Sequence, residues 1–269
     1  GGSRSLQVGG SAVRQATEAL VEAARRLAAR QLEADPDDVV VDTTTGTVGV
    51  VGVPATALSW GALAELAAAD EATLDGTAIF TQAGATFPFG AHIAVVEVDT
   101  DTGAARLVRH VAVDDCGTVL NPLLVQGQQH GGIASGAGQA LYEEVLFRDG
   151  NPVTSNFADY GLPSAAELPN FEVHSTETPT PLNPLGAKGI GEAATIGSTP
   201  AIQNAVIDAV SHLGVRHIDM PCTPERVWAA IRAAADGRAD PWRDPPPVFA
   251  TFTKGTAGDD AGAAAADGI

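Results

Sequence analysis

The sequence predicts an α+β fold in which antiparallel hairpins pack against helices, and three observations carry that prediction. Apolar residues recur at three- and four-residue steps along several segments, as they do in helices with one buried face. Between those segments stand short runs rich in Val, Ile and Thr that flank Gly-bearing turns, as they do in hairpins. The chain has 269 residues and is 45% hydrophobic, enough for a buried core and for one large domain or two small ones.

Each element follows from a local pattern. Val13, Ala16, Leu20, Ala24, Leu27 and Leu32 predict an amphipathic helix from about 11 to 34, with Ser11 as N-cap and Asp35-Pro36 as stop. Val39-Val40-Val41 and the run from Thr47 to Val53 surround Thr44-Thr45-Gly46 and predict a hairpin, after which Ser59 caps a short helix through Leu63 and Leu66. Residues 70–90 lack periodicity and read as loop. Two strands, Ala91 to Val98 and Arg106 to Val113, flank a turn that places Gly103 where a positive φ is needed. Leu123 to Val145 reads as a helix despite its glycines, each costing about 1 kcal/mol relative to Ala, and those glycines would let something pack close. Phe171 to Thr176 is a strand and Pro179 to Gly197 a Pro/Gly-rich loop. Thr199-Pro200 and Thr223-Pro224 each pair an N-cap with Pro at the first helical position and open two further helices. The domain is expected to run over 1–244, and 245–269 reads as a disordered low-complexity tail.

Composition narrows the function classes. There are 33 acidic against 15 basic residues, a net charge of −18, which argues against nucleic acid or an anionic membrane as partner. No run approaches the ~18–20 apolar residues of a membrane-spanning helix. The two cysteines, Cys116 and Cys222, lie in no metal-ligand spacing, so no protein metal site is indicated; a reducing compartment fits. The single methionine, Met220, is internal, which suggests a processed chain or a piece of a longer one. Only Lys188 and Lys254 are lysines, so Lys188 is alone before the tail.

Three glycine-rich stretches are candidates for chemistry. Gly1 to Ser5 offers backbone N–H groups, two hydroxyls and Arg4 just before a helix, a cradle for a phosphate, although by itself the stretch reads more simply as a flexible end. Asp114-Asp115-Cys116-Gly117, Asn121-Pro122 and Gln126 to Gly132 present amides among glycines that a planar polar ligand could approach, although His130 and Cys116 alone read more simply as structural residues. Asn183 to Glu192 is not a phosphate-binding Walker loop, because Gly follows Lys188. There Glu192 would face whatever approaches the glycines, with a pKa raised by burial for proton transfer, and Lys188 could hold an anionic group; the alternative is a turn cluster with Glu192 favourably placed at a helix N-terminus.

Taken in order, Gly2-Ser3-Arg4-Ser5, then Asp114-Asp115-Cys116-Gly117 with Asn121-Pro122, then Gly127-Gln128 with His130-Gly131-Gly132, then Glu177 to Glu192, then Pro200-Ala201-Ile202 with Asn204-Ala205-Val206 form a long pattern. It resembles the molybdenum-binding large subunit of the xanthine dehydrogenase and aldehyde oxidase family, most of all the aerobic carbon monoxide dehydrogenase branch. The resemblance runs from Gly1 to about Ile231 and is to the C-terminal portion of that subunit. It implies the C-terminal half of a molybdenum-cofactor-binding domain, holding a molybdopterin in its cytosine dinucleotide form.

By that resemblance Ser3, Arg4 and Ser5 line the pyrophosphate or nucleotide end, and Cys116, Asn121 and Gln128 contact the nucleotide or pterin. Lys188, Gly189 and Gly191 lie beside the pterin and metal. Glu192 matches the family's catalytic glutamate, which takes the proton of a Mo-bound hydroxyl or water before the oxygen attacks the substrate carbon. Electrons then leave through iron–sulfur clusters and FAD on partner subunits, since two cysteines cannot ligate a cluster here. The residues that choose among carbon monoxide, aldehyde and heteroaromatic substrates, including a copper-ligating cysteine loop, belong to the upstream half of the subunit. The chain is therefore expected to be inactive alone; the reducing compartment that its cysteine usage fits makes a cytoplasmic location the expectation. The rival reading is a non-catalytic cofactor carrier or structural partner of the same fold.

Overall fold

The computed structural model describes residues 2–70 and 72–238. The segment assigned above to a disordered tail lies outside them, as does Gly1 of the proposed anion cradle. The chain forms two compact units, one of Arg4–Ala83 with Pro181–Leu185 and one of the described residues of Gly1–Ser3, Gly84–Thr180 and Gly186–Ile269.

The first unit packs helix α1 (Ser11–Leu32) and helix α2 (Trp60–Ala69) on a small antiparallel sheet of β1 (Val39–Asp42), β2 (Thr47–Val50) and β3 (Leu58–Ser59). Its core is Ala24, Leu27 and Ala28 of α1 against Val39, Val48, Leu63 and Ala67; of the positions the helical periodicity selects, Ala24, Leu27 and Leu63 are buried, whereas Val13 at the start of α1 is exposed. The expected hairpin turns at Gly46, with φ +67, and the Ser59 hydroxyl accepts from the Ala62 N–H at 3.2 Å, capping α2 as read. Ser11 differs: a π-helical turn, Ser5–Gly10, precedes it, so Ser11 is already inside the helix and its hydroxyl donates to the Gln7 carbonyl at 2.6 Å. The helix stops at Glu33, which takes a left-handed φ of 52.

The second unit has two layers. Strands β4 (Phe89–Val98) and β5 (Ala105–Asp115) form the expected antiparallel hairpin, with an irregularity at Val95/Val96. Gly103 has φ +77 and abuts the backbone of Pro224 and Trp228, so its turn and its neighbour both demand glycine. Two short exposed strands, β6 (Phe147–Arg148) and β7 (Asn151–Pro152), pair only with each other. Strand β8 (Phe171–Thr176) has the predicted bounds, but it joins the sheet parallel to β5, with Asp115 opposite Thr176. Residue periodicity carries no information on that pairing.

Helices α3 (Pro122–Leu141), α4 (Ala193–Ser211) and α5 (Pro224–Ala235) supply the other layer. Leu107, Ala137, Leu141, Ile202, Val206, Val210 and Val227 form its core. α3 and α4 run side by side in the same direction, Gly132 against Ala194 and Gly136 against Ser198. The Thr195 hydroxyl donates to the Gly132 carbonyl at 3.0 Å. The glycines of α3 thus admit a neighbouring helix, as the sequence suggested. α3 ends at Leu141, four residues short of the expectation, and α4 starts earlier than expected, at Ala193, enclosing Pro200. The close seat of Ala194 and Thr195 on α3 holds this first stretch helical ahead of the proline. Thr223 caps α5 as read, its hydroxyl oxygen 3.4 Å from the Arg226 N–H. No helix among the described residues is long and apolar enough to cross a membrane.

Candidate functional site

Strand β5 ends in two buried residues, Asp114 and Asp115, and buried Cys116 follows directly. The chain then turns at Gly117, φ +70, whose lack of a side chain lets the Gly186 carbonyl come close. The loop that leads to Glu192 is stitched onto this turn. Gly117 and Ala187 form an antiparallel bridge, the Lys188 N–H donates to the Cys116 carbonyl at 2.7 Å, and the Thr118 N–H donates to the Gly186 carbonyl at 3.0 Å. Below the stitch lies an ion pair: Lys188 Nζ stands 3.1 Å from Asp115 Oδ1, the two side chains 9% and 0% exposed. The same ammonium sits 4.6 Å over the Phe89 ring. Burial alone would push the Asp115 carboxyl up. The Gly117 N–H, the Thr178 hydroxyl and N–H, and the Lys188 ammonium outweigh it and hold the pKa at about 2. Burial, seconded by the Asp115 charge, raises the Cys116 thiol.

Beyond Lys188 the loop passes buried Gly189 and reaches Gly191 and Glu192, the residue that precedes α4. Glu192 is exposed rather than buried, and no hydrogen bond among the described residues engages its carboxylate. A Cβ at Gly191 would fall 2.7 Å from Ser3 Oγ and 3.5 Å from Gln128 Oε1, so those two polar side chains converge on a backbone that carries none. Ser3 itself has φ 53. On the same exposed face of α3 as Gln128, Gly127 and Gly131 have nothing within 4 Å of where a Cβ would stand. Asn121 caps α3, its Oδ1 accepting from the Leu124 N–H at 3.2 Å. Arg4 and Ser5 are exposed and belong to the first unit, where the Arg4 carbonyl accepts from the Val8 N–H at 2.9 Å.

A second polar network lies behind this surface, between the sheet and the helices. His92 Nε2 is 3.2 Å from Asp114 Oδ1, His92 Nδ1 is 3.1 Å from His110 Nε2, and Gln129 donates to Asp114 Oδ2 at 3.0 Å and to the His174 carbonyl at 2.9 Å. Burial, with the neighbouring His92, lowers His110 to about 4 although Asp114 opposes the shift. His110 Nδ1 and Gln129 Oε1 are buried without a partner. The sequence reading selected the stretches that hold Asp114 and Gln129 but missed His92 and His110, because the shared location of these residues depends on strand register; a histidine in each of two apolar strands is the one local signal.

Residues 1–169 match the family model described as a molybdopterin cofactor-binding domain. The chain belongs to that family. Among proteins similar to this molybdopterin cofactor-binding domain, the carbon monoxide dehydrogenase large chain of Hydrogenophaga pseudoflava is 37% identical over 86% of the chain and 29% of its own length. The 6-hydroxypseudooxynicotine dehydrogenase complex subunit gamma of Paenarthrobacter nicotinovorans is 41% identical over 84% of the chain and 29% of its own length. In structure, quinoline 2-oxidoreductase from Pseudomonas putida 86 superposes with a TM-score of 0.76 at 39% identity, over 86% of this chain and 30% of that one. The domain spans about three-tenths of the length of the curated relatives it matches.

The surface fits the organic cofactor that the family's name implies. The missing side chain of Gly191 admits the Ser3 hydroxyl close to the loop backbone, and open Gly127 and Gly131 on the adjoining helix leave room beside Gln128 for a flat polar ligand to reach backbone and amide groups together. Among the described residues no group of three or more His, Cys, Asp or Glu side chains could hold a metal ion. Of the sequence-selected residues the second unit brings together Ser3, Cys116, Gln128, Lys188, Gly189, Gly191 and Glu192 around one loop and the first half of α3, with Asn121 at the head of that helix.

Proposed function

We propose that this chain is the cofactor-holding part of a molybdenum hydroxylase large subunit and that Glu192 is its active-site base. One observation carries the reading: an exposed, unengaged carboxylate follows directly on Gly191, the residue on which Ser3 and Gln128 converge. When bound, the molybdenum–molybdopterin group, in its cytosine dinucleotide form, supplies the two-electron oxidation of a substrate carbon with oxygen drawn from water.

The protein's own residues bind, orient and move a proton. Gly189 and Gly191 let the cofactor approach the loop backbone, Lys188 fixes that loop, the Gln128 amide hydrogen-bonds a polar edge of the nucleotide or pterin, and the Ser3 hydroxyl meets the pyrophosphate or nucleotide end. Arg4 and Ser5 receive the pyrophosphate or nucleotide end, while Cys116 and Asn121 contribute backbone and amide groups nearby. A Glu192 oxygen takes the proton of the water-derived hydroxyl and so makes the attacking oxygen nucleophilic. Carbon monoxide, an aldehyde or a heteroaromatic ring is the substrate, the upstream half of the subunit closes the cleft, and iron–sulfur and FAD subunits in the cytoplasm carry electrons away. The chain alone turns over no substrate.

In the reconstituted holoenzyme Glu192→Gln is expected to lower kcat by roughly a hundredfold or more while molybdenum and pterin content stay unchanged. Turnover equal to that of the parent would overturn the catalytic assignment.

A further inference from the structure

The reading of Glu192 as base leaves open what holds it in place, because the three residues before it include two glycines and its own side chain is unengaged. Building on that reading, we infer that Asp115 is the positioning residue of this base: through Lys188 it fixes the loop that delivers Glu192 to the start of α4.

Asp115 is fully buried, and its two oxygens gather three separate segments. Oδ1 accepts from the Gly117 N–H at 2.9 Å and from Lys188 Nζ at 3.1 Å, and Oδ2 accepts from Thr176 Oγ1 at 3.1 Å. The turn after β5, the end of β8 and the Glu192 loop are thereby tied to one carboxylate. Parallel pairing of β5 with β8 sets Thr176 opposite Asp115, so the sheet itself fixes the anchor. Downstream, Ala194 is seated on Gly132, and between these two points only three residues separate Lys188 from Glu192. A buried ion pair broken on one side leaves a charge without compensation. Lys188, with its charge matched and its side chain 9% exposed, acts as a tether rather than as a cation offered to a ligand.

Amide hydrogen exchange on the complete chain tests the tether without cofactor. In Asp115→Asn the amides of Gly117, Thr118 and Lys188 are expected to exchange roughly tenfold faster or more, while those of the interior of α3 and α4 keep their protection. The double variant Asp115→Asn/Lys188→Met has no unpaired buried charge and carries the test if the single variant does not fold; it too is expected to lose protection at those three amides alone. In the loaded enzyme Asp115→Asn is expected to lower kcat about tenfold with KM and molybdenum content unchanged, and to add nothing on a Glu192→Gln background. Parental protection in the variants would overturn the tether. Undiminished kcat, or a full further loss on top of Glu192→Gln, would overturn its action through Glu192. Should Glu192→Gln itself leave turnover intact, the base assignment falls while the exchange result still decides the tether.

Discussion

Gly136 and Ser198 stand so close across the α3–α4 interface that the Ser198 hydroxyl occupies the place a Gly136 side chain would take. One turn earlier a Cβ at Gly132 would lie 2.8 Å from the Ala194 Cβ. Gly136→Ala is therefore expected to destabilise the chain by about 1–3 kcal/mol through overpacking, measured as a lowered denaturation midpoint with an unchanged slope.

The opposite sign is expected at Gly127, which faces open space from within the same helix. Gly127→Ala should raise the stability of the chain by about 0.5–1 kcal/mol, the helix-propensity difference. If this face receives the cofactor, the same variant also lowers molybdenum content in the assembled enzyme. A gain in stability with full loading would separate the two effects and remove Gly127 from the cofactor surface.

Acid stability should report on the buried histidine. His110 titrates near 4 in the folded chain against an ordinary value of 6.5, so between those values the unfolded chain binds the proton and the folded chain does not. Its contribution is complete above about pH 6.5 and is lost as the pH falls toward 4, a change on the order of 3 kcal/mol. Asp115, held at about 2, adds a separate loss only below its ordinary range. Denaturant titrations of His110→Gln should show a flatter profile between pH 6.5 and 4 and leave the steeper fall at lower pH in place.

Both thiols should be silent in the folded protein. Cys222 is pushed up to about 11 by burial, against a smaller lowering by Arg226, and the Cys116 thiol is also raised. Alkylation at pH 8 is expected to modify neither until the chain is unfolded. Labelling of Cys116 in the native chain would show that the turn after β5 opens.

Pro200 inside α4 predicts a further gain. It lacks the N–H that would donate to Ile196, and it lies on an exposed stretch of the helix. Pro200→Ala is expected to raise the thermal midpoint, by up to about 3 kcal/mol of stability if the helix straightens freely.

Much of this fold was legible in the residues because its signals are local. The α1 face, the hairpin turning at Gly103, the β8 bounds and the Thr223 cap each depend on residues a few positions apart. The Thr199-Pro200 signal misled for the same reason: it is a sound cap in isolation, and only the distant contact of Ala194 with Gly132 makes the preceding turn helical. At the site, the order of motifs selected the loop and Glu192. Neither the exposure of Glu192 nor the capture of Lys188 by Asp115 was readable, because 73 positions separate that pair and the parallel register of β8 completes their surroundings.

The shared direction of α3 and α4 decides where the chain can change in length. Leaving α3 at Leu141, the backbone must travel back to the starting end of α4 before Ala193. That return journey includes the exposed β6–β7 hairpin, which pairs with no other strand, before it reaches β8. Insertions or deletions between 145 and 160 would be absorbed there and leave Gln128 and Glu192 at the same separation. A single residue added between Lys188 and Glu192, a stretch held at both ends, would have no such slack and would move the carboxylate itself.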